Sequence, residues 1–290
     1  MSRWHAGIVL LALLTAPAFA QRGGIDPCTT VVPLTRVPGL REGSGLAHGR
    51  LAPPRLFTFN DSSQPELLVL DESGTVLSRV TITGAEVVDW EDVTSAQCAD
   101  GPCLYVADIG DNSARRATVT LYRVPEPRSG QSAVTARRFD IAYPDGSNDA
   151  EAVFAAAGGR LYLLTKEAGG AKLYAFPTSL SADRPNRLEL VRRLSSGRGR
   201  DAFARITDAE TSADGRTVAV RSNDTLFLLP TVDLLAGRLS GASVISLRRL
   251  NEPQGEGVAF AANGDVFLAG EGSGRRDAGS FARLACSASR

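Results

Sequence analysis

One short pattern returns five times along the chain and constrains its fold more than any other feature. It consists of an acidic or polar residue, a spacer, a second polar residue, and then a small or apolar run. The copies are Glu42 to Ser44, Asp89 to Glu91, Asp149 to Glu151, Asp208 to Glu210 and Gln254 to Glu256. From Ser44 through Glu91, Glu151, Glu210 and Glu256 the steps are 47, 60, 59 and 46 residues. Such self-similarity marks a repeat architecture, and steps of roughly 40 to 50 residues with some loop insertion are those of propeller blades.

After each copy comes a turn and a β-rich run: Arg55 to Asn60, Cys103 to Asp108, Arg160 to Thr165, Thr217 to Arg221 and Asp265 to Ala269. Third runs follow at Glu66 to Leu70, Thr118 to Tyr122, Lys172 to Phe176 and Thr225 to Leu229. Fourth runs follow at Val76 to Ile82, Ala136 to Tyr143, Leu188 to Leu194 and Ser243 to Leu250. β-Branched and aromatic residues bounded by Gly, Asp and Pro read as strands. Four strands per unit is a blade, so the sequence predicts an all-β fold, a five-bladed β-propeller with four antiparallel strands per blade. Two β-sandwiches are the rival architecture, but sandwiches do not require one motif five times. The last unit ends after Phe281 to Cys286 with its fourth strand missing, and the run Thr29 to Val37 belongs to no unit of its own. That run is expected to fill the gap and close the ring. Only Val232 to Gly237 reads as a helical turn.

Residues 1–20 read as a secretory signal: Arg3, the apolar stretch Ala6 to Ala16, and a small-residue cleavage site at Ala18 to Ala20. The apolar stretch is too short for a span of about 20 residues. A single domain over residues 21–290, secreted or periplasmic and monomeric, is therefore expected. In an oxidising compartment the four cysteines are disulfide candidates. The pairing expected is Cys98 with Cys103 across a tight turn, and Cys28 with Cys286 at the ring closure.

The chain carries 32 basic and 32 acidic residues, a balance that gives no electrostatic reason to bind nucleic acid or an anionic membrane. Inner strands of a propeller line its channel, so the second motif position is expected to form a ring of Ser44, Glu91, Glu151, Glu210 and Glu256. Carboxylates crowded in a channel must take up protons, pair with cations or bind a metal. An all-oxygen set favours calcium over magnesium, and zinc is disfavoured because His48 is the one histidine after the signal. The alternative is that these acids only satisfy backbone donors at turns. The residues before them, Glu42, Asp89, Asp149, Asp208 and Gln254, should point away from the channel by strand alternation. Near the ends of the second strands, Asp61, Asp108, Lys166, Arg221 and Glu271 are expected at the channel mouth. There Lys166 and Arg221 would hold an anionic group, while Asp108 with Gly110 to Asn112 would hold a second cation or a hydroxyl-rich ligand. No Gly-x-Ser-x-Gly elbow is present, so a Ser-His-Asp triad would depend on His48. The Gly-rich fragment Gly270 to Gly274 lacks the lysine of a phosphate loop and reads as a turn.

The segments Asp89 to Val93, Val106 to Asn112, Leu121 to Pro127 and Asp149 to Val153 resemble a family of secreted bacterial β-propeller proteins. That resemblance implies the fold and leaves function open. A ring mixing Ser and Glu is more distantly similar to the soluble calcium-activated nucleotidases (apyrases), which implies a calcium ion on the axis held by Ser44, Glu91, Glu151, Glu210 and Glu256. Gluconolactonase-type propellers also place carboxylates and a metal on the axis, with six blades. Two functions are carried forward: a calcium-binding module for a small polar or anionic ligand or a protein partner, and a metal-dependent hydrolase of phosphate esters, nucleotides or lactones. In the hydrolase reading the ion activates water and Lys166 with Arg221 stabilises negative charge.

Overall fold

A computed structural model describes residues 24–25, 28–167, 169–194, 203, 205–274 and 277–286. The expected signal segment lies outside them. Five sheets stand around one axis, each with four antiparallel blade strands, in chain order from the channel outward in the first four. Blade one comprises Gly43–His48, Leu56–Asn60, Glu66–Leu70 and Val76–Thr83. Blade two comprises Trp90–Cys98, Gly101–Asp108, Val119–Pro125 and Arg137–Ala142. Blade three comprises Ala150–Ala155, Leu161–Thr165, Lys172–Ala175 and Glu189–Arg193. Blade four comprises Ile206–Thr211, Thr217–Ser222, Thr225–Pro230 and Ser243–Ser246. Blade five comprises Gln254–Phe260, Val266–Glu271, Gly279–Cys286 and, as its fourth strand, the N-terminal Cys28–Val37.

The ring therefore closes as the unpartnered N-terminal run requires. Cys28 lies opposite Cys286 in the closing ladder, and the two are bonded with an S–S distance of 2.13 Å. Cys98 and Cys103 form the second disulfide, which spans a two-residue hairpin turn. Ser243 to Leu250 is not one strand: it ends at Ser246 and turns into a short 3-10 helix, Arg248–Leu250. The expected helical turn is the α-helix Thr231–Ala236, ended by Gly237 in the left-handed conformation.

Strands near the axis are buried on both faces, as in Ala150–Ala155 and Leu161–Thr165, and so lack the apolar and polar alternation of a half-exposed strand. Outer strands such as Val76–Thr83 are exposed on one face and alternate instead. Blade faces meet in apolar cores. Between blades one and two, Trp90 packs edge-on against Phe59 at 5.3 Å and donates its indole N–H to the Glu86 carbonyl at 2.8 Å.

Connections between third and fourth strands reach back to the preceding blade. Ala133–Thr135 pairs in parallel with Thr81 to Thr83, and Asn186–Arg187 pairs in parallel with Ile141 and Ala142. The helix Thr231–Ala236 does the same without a ladder, accepting at the Leu235 carbonyl from Arg192 Nε at 3.3 Å. Each device covers an outer edge that would otherwise present unpaired backbone groups.

Candidate functional site

Every inner strand carries a β-bulge soon after its start, which leaves one residue or more unpaired with the second strand and aims it at the channel. The bulge falls at Glu91, Glu151 and Glu256 in blades two, three and five, and in blade one it follows Ser44, which stays paired with Phe59, and takes in Gly45 and Leu46. In blade four it falls at Thr207. Two hydroxyls reveal the equivalence: Ser44 Oγ donates to the Glu91 carbonyl at 2.8 Å, and Thr207 Oγ1 donates to the Glu256 carbonyl at 3.0 Å. The ring is thus Ser44, Glu91, Glu151, Thr207 and Glu256, and Glu210 is not in it.

At this mouth, where the inner strands begin, Lys166 Nζ meets Glu151 Oε1 at 2.8 Å. Burial would lower the lysine's pKa, but Glu151, Glu256 and Glu91 raise it, so it stays an ammonium. The acids around it are strained electrostatically. Burial, with Glu151, Asp89 and Glu256 nearby, pushes Glu91 up to about 11, against the pull of Lys166. Burial lifts Glu151 to about 8 despite its bond to Lys166, and it raises Glu256 as well. Glu271 rises to about 7 and Asp61 to about 6, burial acting first and neighbouring carboxyls second. Gln254 Nε2 bridges Glu256 and Glu271 at 2.7 and 2.9 Å, so this residue faces the mouth rather than away from it. The bulge explains why: it breaks the alternation on which the outward expectation rested. Asp89 also sits among the mouth acids, and its carboxyl with that of Glu91 closes over Gly110, where a Cβ would collide with both.

Asp61 and Lys166 follow directly on their second strands and Glu271 is the last residue of its own, which sets all three near the strand-start mouth. Asp108 and Arg221 do not reach it. Asp108 is buried, takes the Val88 and Asp89 amides at 3.2 and 3.3 Å, and pairs with Arg116 at 2.7 Å. Asn60 holds the equivalent place in blade one, accepting from the Arg41 and Glu42 amides. Arg221 lies one residue further back, fully buried, donating to the Gly257 and Ala269 carbonyls at 2.6 and 2.9 Å and pairing with Glu252. It is a strut between blades four and five and is not available to a ligand. Asp111 is also committed, since its carboxylate accepts the Arg115 and Arg116 amides.

A second layer lies deeper in the channel. Asp92 of blade two and Asp208 of blade four are buried, and burial first, then Asp208 and Glu210 beside Asp92 and Glu210 beside Asp208, holds both well above the usual carboxyl range, with Asp208 Oδ1 left without a hydrogen-bond partner among the described residues. Asp92 Oδ2 accepts the Val153 amide and Asp208 Oδ2 the Val258 amide, each at 2.6 Å, so each acid also stitches its blade to the next. Sequence reading missed this pair because Asp208 was aligned with Asp89 and Asp149. The register places it with Asp92 instead.

Beyond this pair stands Glu210, in the wall of a pocket at the opposite mouth, where the inner strands end. Among the described residues no three acids, histidines or cysteines converge as metal ligands. The expected ring does not fit a resident axial calcium: the Ser44 hydroxyl is committed to a carbonyl, Glu210 lies elsewhere, and the Lys166 ammonium already serves Glu151.

Fold and site define a five-bladed β-propeller with an acid-lined axial channel. No family model matches the chain, and no curated protein matches it. Among solved structures, it is similar to the PQQ-bound aldose sugar dehydrogenase of Streptomyces coelicolor, with 11% identity over 88% of this chain and 98% of that one and a TM-score of 0.50. A glucose dehydrogenase gives 10% identity, 88% and 99% coverage and a TM-score of 0.50. A gluconolactonase of Xanthomonas campestris gives 12% identity, 94% coverage of both chains and a TM-score of 0.48. At these identities the likeness is one of propeller fold.

Proposed function

We propose that the chain is an exported ligand-binding propeller whose strand-start mouth takes a small organic cation, one or more protonated amines, between its carboxylates. One observation carries the reading. The Glu91 carboxyl has no hydrogen-bond partner among the described residues, yet Asp89, Glu151 and Glu256 crowd it and one ammonium, Lys166, stands among them. The Lys166 to Glu151 contact, an ammonium on a buried acid at 2.8 Å, supports the reading because a ligand amine would be held in the same way. An anionic ligand is disfavoured by the same charges. The hydrolase alternative loses support too, because Arg221 is consumed between blades and cannot steady developing negative charge.

The test is thermal stability of the purified protein with spermidine or with calcium, at about pH 8 and about pH 5, at constant ionic strength. A ligand bound by the folded state stabilises it by about 2.7 kcal/mol at a hundred times Kd. Because these carboxyls are raised, the amine must displace their protons as it binds; spermidine is therefore expected to raise Tm at the higher pH, less at the lower, and not in Glu91→Gln. A larger rise with calcium than with spermidine would restore the metal reading. No response to either, or an undiminished response in Glu91→Gln, would overturn the mouth as a cation site.

A further inference from the structure

The opposite mouth holds a pocket of 360 Å³. Its walls are largely apolar, with Leu51, Pro54, Ala213 and Phe260 among them. The rim is anchored from another blade: the buried Glu126 carboxylate accepts the Arg50 and Leu51 amides at 2.8 and 2.9 Å. This fixes Arg50 over the opening, where its exposed guanidinium makes no hydrogen bond or ion pair among the described residues. His48 lines the same space but is engaged with Glu72 at 3.2 Å, and burial holds its pKa down, so it adds no charge near neutral pH.

We propose that this pocket binds a small monocarboxylic acid with a hydrocarbon body, its carboxylate on Arg50 and its chain against Leu51, Pro54, Ala213 and Phe260. A guanidinium that makes no hydrogen bond or ion pair among the described residues, beside a lined apolar cavity, is the pairing such a molecule complements. Arg50 lies near enough to Glu210, the acid in the pocket wall, to pull its pKa down, but the two make no hydrogen bond and Glu210 leaves the guanidinium open. Its oxygens are turned to the Thr94 hydroxyl at 2.7 Å and the Thr211 amide at 2.8 Å, and burial with a pKa of about 7 leaves it substantially protonated at neutral pH. The site stands apart from the acidic mouth and does not depend on it.

Titration calorimetry with butyrate, hexanoate and hexanamide tests the proposal. Each added methylene that enters the pocket is worth about 0.8 kcal/mol, so affinity is expected to rise about fourfold per CH₂ from butyrate to hexanoate. Arg50→Gln is expected to weaken hexanoate about tenfold or more and leave hexanamide unchanged, because it removes a charge-assisted bond. Ala262→Phe, at another exposed lining residue, is expected to abolish both by filling the space. Both positions are exposed, so both variants should fold. Equal affinity for hexanoate and hexanamide, unchanged binding in Arg50→Gln, persistence in Ala262→Phe, or no saturable binding of hexanoate would each overturn the assignment.

Discussion

Glu210 is held in the channel wall by Thr94 and Thr211, and burial lifts its pKa from 4.5 to about 7. A carboxyl whose folded pKa lies above its unfolded value binds more protons when folded, so its contribution is fully present below about pH 4.5 and is lost as pH rises toward 7. Glu210→Gln keeps the shape, still accepts from the Thr211 amide, and no longer has to ionise. Its Tm is expected to match that of the parent at about pH 4.5 and to exceed it by about 5 °C at about pH 8.5, from on the order of 2 kcal/mol. Scanning calorimetry at the two pH values checks this. A variant less stable than the parent at the higher pH would mean that Glu210 serves as a carboxylate, bonded well enough to repay its burial.

Among the elements, the bulged inner strand decides what was legible in the sequence. Hydrophobic runs and turn residues mark each strand, so the five repeats, the closing N-terminal strand and the two disulfides could be read directly. The bulge has no such mark. In blade four Asp208 to Glu210 reads like Asp149 to Glu151, yet the strand begins at Ile206 and bulges at Thr207, which carries Glu210 past the ring to the other mouth. Arg221 failed for a related reason, since a shift of one residue turns a strand side chain to the opposite face. What the sequence does mark is Gly45, the blade-one counterpart of Asp92. It has φ +63° and no room for a Cβ, which would lie 2.7 Å from Asp92 Cα. Gly45→Ala combines left-handed backbone strain with a clash against a neighbouring strand, and is expected to cost about 2–4 kcal/mol by denaturant titration. A loss below about 0.5 kcal/mol would show that the inner strands are not packed this tightly.

At the scale of the whole molecule, the Cys28–Cys286 bond links residues 258 apart in sequence and closes the ring, whereas Cys98–Cys103 spans 5. Loop entropy assigns the long bridge about 5 kcal/mol as an upper figure and the short one about 2. Replacing Cys28 and Cys286 by Ser is accordingly expected to lower Tm well beyond the same change at Cys98 and Cys103, with equal losses contradicting the closure role.

The ring so closed concentrates acids along one axis: Glu91, Glu151 and Glu256 at one mouth, Asp92 with Asp208 midway, and Glu210 toward the other. The central claim is that these carboxyls are desolvated together and do not ionise in the ordinary range. The most direct measurement is a ¹³C NMR titration of the side-chain carboxyl carbons, with resonances assigned through single Glu→Gln variants. Glu210 and Glu271 are expected to titrate with midpoints near 7, Glu151 near 8 and Glu91 above both, with spermidine moving the mouth set downward and leaving Glu210 in place. If every one of these carboxyls titrates at about 4 to 5, as a solvated side chain does, the channel is wet, the acids are ordinary surface groups, and the account of a charge-loaded axis is wrong.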